Sequence, residues 1–162
     1  ITDEALKGGI GNPHEEAQNQ LSASVVARIE EDLAEELDKA TLTASGDADV
    51  FGIIEAQAMF GENADQPFTV FANNSLMARF EASKVQHKVD FDIVYSTRLP
   101  KDTFYLVQEG GLGLYLAKDV EVETQRDILA KTNVYSADAL YATHLRDASK
   151  VVKCKAVAKE EA

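Results

Sequence analysis

The sequence predicts an α+β fold, because it divides into three segments of different character. Residues 12–40 have the pattern of one long amphipathic helix, residues 41–110 mix short helices and strands, and residues 111–157 are mostly β. This segregation of helix and strand is typical of α+β proteins. Residues 1–11 form a glycine-containing lead-in, and residues 158–162 form a tail. The pattern therefore predicts that the middle segment is a lobe inserted between the helix and the final strands.

The predicted long helix begins clearly and continues without a break. Asn12 is a good N-cap, Pro13 fits the first helical position, and Glu15 lies where a capping-box acid belongs. Apolar residues then recur every four positions, at Ala17, Leu21, Val25, Ile29, Leu33 and Leu37. The helix would span about 40 Å, so we expect it to support the other elements as a spine. Its acids, among them Glu36 and Asp38, predict a solvated surface.

Short elements fill the rest of the chain. In order, we expect a strand (41–45), a helix (48–60), a strand (68–72), a helix (74–82) and two strands (89–95 and 103–108). Asn73 or Asn74 would cap the second of these helices. After Gly110 and Gly111, apolar and polar residues alternate as in half-buried strands. Opposite charges suggest that Glu121 and Glu123 pair across strands with Lys153 and Lys155.

Composition excludes several classes of protein. The net charge is −12, from 28 acidic and 16 basic residues, and the short group Lys150, Lys153 and Lys155 is the nearest approach to a basic cluster. A protein that binds nucleic acid by neutralising phosphates needs a larger basic face. No apolar run approaches the roughly 20 residues that cross a bilayer, so we expect no membrane partner. Without a signal sequence or an initiator Met, the chain is expected to be a piece of a longer protein.

The lone cysteine, Cys154, rules out an intramolecular disulfide and favours a reducing compartment. It lies in an alternating apolar run, so a small core residue is the favoured interpretation and a reactive thiol the alternative. The three histidines, His14, His87 and His144, fall in three predicted elements, and none has a second ligand at metal spacing. We therefore expect no catalytic residue, no cofactor and no metal.

Two pairs of carboxylates are the remaining candidates for a metal site. Asp47 and Asp49 flank one small residue in a predicted turn, and Asp90 and Asp92 share one face of a predicted strand. Either pair could bind calcium weakly, although neither matches an EF-hand loop. The run Asn73-Asn74-Ser75 matches a glycosylation sequon, but without a secretory signal it is expected to serve as a helix cap.

Two stretches resemble the major capsid proteins of tailed bacteriophages. GGIGNPHEEAQNQLSASVVARIEEDLAEEL resembles the "GxGxPxxEAxxQLxxxxAxxxxxDLxxxL" segment that opens the spine helix of those proteins. FYLVQEGGLGLYLAKDVEVETQRDILAKTNVYSADALYATHLRDASKVVK resembles their C-terminal part, with a "G(A/G)L" turn, a "DVEVExxRD" strand, a "KxxN" step and a final "DxSKVVK". The two stretches lie in the right order and cover roughly half of the chain.

The resemblance implies the Hong Kong 97-type capsid fold. Residues 12–40 would be the spine helix of the peripheral domain, residues 41–110 the axial domain, and residues 111–157 the returning strands of the peripheral domain. Family members also carry an N-terminal arm and an extended loop before the spine helix, and both are missing from this sequence. We therefore expect the isolated chain to fold without assembling normally. No residue matches a cross-linking motif.

The implied function is that of a major capsid subunit, which forms hexamers and pentamers with itself in an icosahedral shell. The shell would enclose double-stranded DNA without binding it specifically. Implied partners are a scaffolding protein, the portal and a prohead protease, in the virion capsid and, during assembly, in the host cytoplasm. The sequence leaves three alternatives open: an encapsulin-like compartment, an acidic metal-dependent hydrolase, and a host-binding or tail adaptor module without a spine helix.

Overall fold

The structure, a computed structural model, describes residues 11–88 and 92–157. Most of the predicted lead-in, the tail, and residues 89–91 of a predicted strand lie outside the described residues. The helices are α1 (Pro13–Asp38), α2 (Val50–Ala58) and α3 (Met77–His87). The strands are β1 (Leu42–Gly46), β2 (Phe68–Asn73), β3 (Ile93–Ser96), β4 (Thr103–Gln108), β5 (Leu112–Asp127), β6 (Thr132–Leu145) and β7 (Val151–Ala156). The predicted α+β class is confirmed.

The described residues form two compact units. The hairpin unit contains residues 11–30 and 114–142, and the sheet unit contains the described residues of 31–113 together with residues 143–157. In the hairpin unit, β5 and β6 form a two-stranded sheet. In the sheet unit, five strands pair in the order β1-β7-β4-β2-β3.

Strand β4 is the centre of the five-stranded sheet. It runs antiparallel to β2 and to β7, whereas β1 pairs with β7 and β2 with β3 in parallel. Its sequence is apolar almost throughout, because both faces of the sheet are covered. Phe104 and Leu106 point to one face, and Tyr105 points to the other; all three are fully buried.

Each face of the sheet has its own hydrophobic cluster. On the first face, Phe104 meets Phe80 of α3 edge to face, at 5.2 Å between ring centroids, and Ile53 of α2 belongs to the same cluster. On the second face, Tyr105 packs with Leu37 from the C-terminal end of α1 and with other buried residues. The sheet is therefore a central layer between α2 and α3 on one side and the end of α1 on the other.

The helix caps follow from the sequence. The Glu15 backbone N–H donates to Asn12 Oδ1 at 3.5 Å, and Asn12 Nδ2 donates to the Glu15 carboxylate at 3.3 Å. Asn73 Oδ1 accepts from the Ser75 backbone N–H at 2.9 Å, and its Nδ2 donates to a backbone carbonyl of the sheet unit at 2.5 Å. The predicted cap at Asn12 is confirmed. Asn73 caps a short 3-10 helix, Asn74–Leu76, which leads directly into α3, and α3 itself begins at Met77 without a side-chain cap. Helix α3 continues past the predicted residue 82 until Lys88, whose φ of +54° is left-handed.

The predicted charge pairing of Glu121 and Glu123 with Lys153 and Lys155 is wrong. Lys118 Nζ lies 3.0 Å from Glu121 Oε2, on its own strand. Strand β7, which carries both predicted lysines, lies between β1 and β4 in the five-stranded sheet. It therefore shares a sheet with elements of the 41–110 segment, although its residues fall in the predicted 111–157 segment. Sequence alternation shows that a strand has two faces, but it does not show which strand pairs with which.

Candidate assembly surfaces

The β5–β6 hairpin exposes large apolar side chains on both of its faces. Leu114 and Leu116 occupy one face of β5 and Tyr115 the other, and each is about half exposed. Val134 and Leu140 of β6 are exposed as well. A two-stranded sheet is marginally stable in water unless other structure covers it. Exposed apolar surface is common where one protein contacts another, which makes the hairpin a candidate assembly surface.

The tip of the hairpin presents two further apolar side chains. Ile128 is 79% exposed and Leu129 is 97% exposed. Asp127 fixes the backbone here, because its Oδ1 accepts from the N–H groups of Leu129 at 2.9 Å and Ala130 at 3.0 Å. Leaving each aliphatic side chain in water forgoes about 1.5–3 kcal/mol. We name residues 126–131 the apolar tip; its exposure is typical of a residue pair that a partner covers.

Helices α2 and α3 also carry an apolar surface, on the side away from the sheet. Phe51 is 57% exposed, Ile54 is 51% exposed and Val85 of α3 is 80% exposed. The Phe51 ring packs edge to face with His87, with 4.9 Å between ring centroids. This contact fixes the Phe51 ring on the surface, so the sheet unit has an apolar patch of its own.

Acidic side chains attach the end of α1 to the rest of the sheet unit. Asp38 Oδ1 accepts from Lys153 Nζ at 2.6 Å and from the Tyr105 hydroxyl at 2.8 Å. The hydrogen bond from Lys153, followed by that from Tyr105, holds the pKa of Asp38 below its usual value. Arg98 Nη1 similarly donates to Glu31 at 2.7 Å.

Glu36 makes a second attachment. Its side chain pairs with Lys39 and also accepts from the Leu145 backbone N–H at 3.1 Å. These contacts, chiefly the hydrogen bond from Lys39, lower the pKa of Glu36. Acids in the last turn of a helix are unfavourable for its dipole, so these contacts offset that cost. The prediction of a solvated acidic surface is wrong for Glu36, whose side chain is 15% exposed and also contacts Leu145, far away in the sequence. Asp38 is exposed as predicted, but it pairs with Lys153.

Replacing Asp38 by asparagine is expected to lower the free energy of unfolding at neutral pH by about 1 kcal/mol, because the ion pair is half exposed. The lowered pKa also sets a pH dependence. Asp38 stabilises the fold above the carboxyl pKa of the unfolded chain, about 3.9, and this contribution disappears as pH falls through the lower folded pKa. Urea denaturation of both proteins between neutral pH and about pH 3 measures this effect.

In that experiment the difference between the wild type and Asp38→Asn should shrink as the pH falls. Glu35→Gln is the matched control, because Glu35 is exposed on the same helix, and it should change stability by less than about 0.5 kcal/mol. An unchanged difference between wild type and Asp38→Asn at all pH values would show that Asp38 does not titrate against this contact.

Of the two carboxylate pairs, Asp47 and Asp49 have structural partners. Asp49 Oδ1 accepts from the Gly52 backbone N–H at 2.9 Å as the N-cap of α2, and Asp47 lies 3.7 Å from the Arg79 guanidinium. Asp90 lies outside the described residues, and Asp92 is exposed. Across residues 11–88 and 92–157, no group of three or more His, Cys, Asp or Glu side chains could hold a metal ion.

The other candidate residues have separate surroundings. His14 packs against the Tyr135 ring at 5.6 Å within the hairpin unit, and His144 is exposed. Cys154 is buried in the first cluster, and burial raises the pKa of its thiol to about 12, so the prediction of a core residue is confirmed. Lys150 donates to the Glu109 backbone carbonyl at 3.1 Å. No helix in the described part of the chain is long and apolar enough to cross a membrane.

Comparison with known proteins finds a relative by sequence and several by fold. No protein-family model matches the sequence. The chain is 29% identical, over 94% of its length, to the major capsid protein of Staphylococcus phage phiMR11. It spans 63% of the length of that relative.

Three solved structures, two from phages and one of an encapsulin, have a similar fold. A cyanophage P-SCSP1u capsid chain is 8% identical, with a TM-score of 0.77 over 97% of this chain and 70% of its own. A Mycobacterium phage Che8 chain is 15% identical, with a TM-score of 0.75 over 95% of this chain and 67% of its own. The SrpI encapsulin of Synechococcus elongatus is 12% identical, with a TM-score of 0.70 over 99% of this chain and 72% of its own. The chain thus has the Hong Kong 97-type fold of phage capsid proteins, and the resemblance to a phage major capsid protein that its two terminal stretches predicted is confirmed.

Proposed function

We propose that this chain is the major capsid subunit, or a part of it, of a tailed phage or prophage, and that it assembles into an icosahedral shell enclosing double-stranded DNA. The observation that carries this proposal is the 29% identity to a phage major capsid protein along nearly the whole chain. The exposed apolar surfaces of the hairpin and of α2 and α3 support it, because a shell subunit must bury such surfaces against other copies. The role is structural and not enzymatic.

Each segment of the chain would have its own role in assembly. Helix α1, within residues 12–40, would be the spine. Residues 41–110 would be the axial domain around the five-fold and quasi-six-fold axes, and the strands of 111–157 would be the peripheral domain that joins neighbouring rings. Strand β7 would belong to the peripheral domain by its position in the sequence, although it pairs within the sheet that contains the strands of residues 41–110. Copies with a net charge of −12 repel each other, so salt should favour assembly.

The partners follow from the same role. Other copies of the chain, as hexamers and pentamers, would be the main partners, with a scaffolding protein, the portal and a prohead protease during assembly in the host cytoplasm. An acidic subunit does not neutralise phosphates, so DNA would be enclosed without specific contacts. The shell itself would be the virion capsid.

An encapsulin-like compartment is the second candidate, because the SrpI encapsulin shares the fold with a TM-score of 0.70. The sequence favours the phage capsid hypothesis, because this chain is 29% identical to the phage protein and 12% identical to the encapsulin. The two functions differ in cargo. A phage capsid would contain nuclease-protected DNA, and an encapsulin would contain a protein.

Sedimentation of the complete gene product, expressed with its neighbouring genes, tests the proposal. We expect a fast-sedimenting particle that protects DNA from nuclease, and a larger assembled fraction at higher salt. Particles that contain an enzyme instead of DNA would favour the encapsulin-like alternative. Subunit-sized species at every salt concentration would contradict both.

A further inference from the structure

The sheet unit contains a groove beside the end of β4. Its apolar lining comes from Phe68, Phe71, Val107 and Leu112, and its volume is about 490 Å³. Phe71, Val107 and Leu112 are partly buried and pack on the second hydrophobic cluster, so the floor is supported from below. The groove is therefore a supported apolar concavity that can receive side chains.

The polar groups of the groove favour a basic occupant. Asp92 and Glu109 line it, both are exposed, and neither carboxylate has an ion-pair partner among residues 11–88 and 92–157. Lys150 contacts Glu109 at the backbone carbonyl, so this cation does not neutralise the carboxylate directly. Gln108, also in the lining, donates through Nε2 to the Asn63 carbonyl at 2.7 Å, whereas its buried Oε1 has no donor in the described structure.

The apolar tip of the hairpin has the complementary chemistry. Ile128 and Leu129 are its exposed apolar residues, and the exposed Lys131 follows them in sequence. The carboxylate of Asp127, which precedes them, accepts hydrogen bonds from the backbone of the tip itself. An aliphatic pair followed by a cation suits an apolar groove that carries carboxylates.

On this evidence we propose that the apolar tip of one copy inserts into the β4 groove of a neighbouring copy. The inference rests on the proposed function, because it requires that copies assemble. The two surfaces differ, so the contact is head-to-tail, and a head-to-tail contact generates rings or extended arrays instead of closed pairs. It therefore couples each subunit to the next in a growing shell.

Disulfide trapping tests this contact in assembled particles of the complete gene product. Leu129→Cys places a thiol on the tip, and Thr69→Cys places one in the groove, whereas the native Cys154 is buried. Mild oxidation of the double variant should give a ladder of cross-linked copies on a non-reducing gel. Each single variant should give none, and neither should Leu129→Cys with Lys101→Cys, since Lys101 precedes β4 at the end away from the groove.

Charge reversal gives an independent measurement. Lys131→Glu and Glu109→Lys should each reduce the assembled fraction several-fold, and combining them should restore it; Lys101→Glu, also at an exposed lysine, should leave assembly unchanged. Particles that form without the cross-link would overturn the tip contact and leave the proposed function standing. A different segment of the gene product found in the groove would likewise overturn the tip contact and leave the proposed function standing. A wild type that forms no particles would overturn both.

Discussion

Replacing Phe104 by alanine is expected to lower the free energy of unfolding by about 3–5 kcal/mol. Phe104 is fully buried in the central strand β4 and packs edge to face against Phe80. Alanine would leave a cavity between the sheet and α3, and a layer fixed on both sides can close it only in part. Because domains are stable by about 5–15 kcal/mol, this change would remove a large share of the total.

Urea denaturation followed by circular dichroism measures this loss, since the chain contains no tryptophan. Phe51→Ala is the matched control, because the same residue type is 57% exposed on α2. It should cost less than about 1 kcal/mol. Equal losses from the two substitutions would contradict the arrangement in which β4 is the buried centre and the outer face of α2 is free.

Replacing Gly52 by alanine is expected to destabilise the protein by about 1–3 kcal/mol, although alanine normally stabilises a helix interior by about 1 kcal/mol over glycine. A Cβ at this position of α2 would lie 1.9 Å from the Asp47 backbone carbonyl oxygen. That oxygen belongs to the backbone, so the chain between β1 and α2 would have to move.

The denaturation midpoint of Gly52→Ala, compared with that of Glu55→Ala, gives the sign of this effect. Glu55 is an exposed residue of the same helix, and its replacement should change stability by less than about 0.5 kcal/mol. A Gly52→Ala protein more stable than wild type would mean that helix propensity prevails and that the close approach to Asp47 is absent.

Elements whose signals are local could be predicted from the sequence. The cap at Asn12, the proline at position 13 and the four-residue apolar spacing determine α1, which begins at Pro13 as predicted. Strand β4 has the predicted bounds, Thr103–Gln108, because its apolar run is bounded by a turn before it and glycines after it. The burial of Cys154 also followed from local alternation.

The parts that depend on distant residues could not be predicted. Asp38 pairs with Lys153, more than a hundred positions away along the chain, and the local sequence pattern around either residue does not indicate this pair. Strands β5 and β6 extend through charged and polar residues to the tip, where alternation of apolar residues is weak. The apolar tip itself gave no signal, because two aliphatic residues among polar ones look ordinary until the structure shows that they are exposed.

Cryo-electron microscopy of particles formed by the complete gene product, expressed with its neighbouring genes, would show whether this chain builds a capsid. We expect closed icosahedral shells whose subunits contain α1 as one long helix and the five-stranded sheet in the order β1-β7-β4-β2-β3, with DNA inside. Dispersed subunits at every salt concentration, or shells built from a different fold, would contradict this expectation.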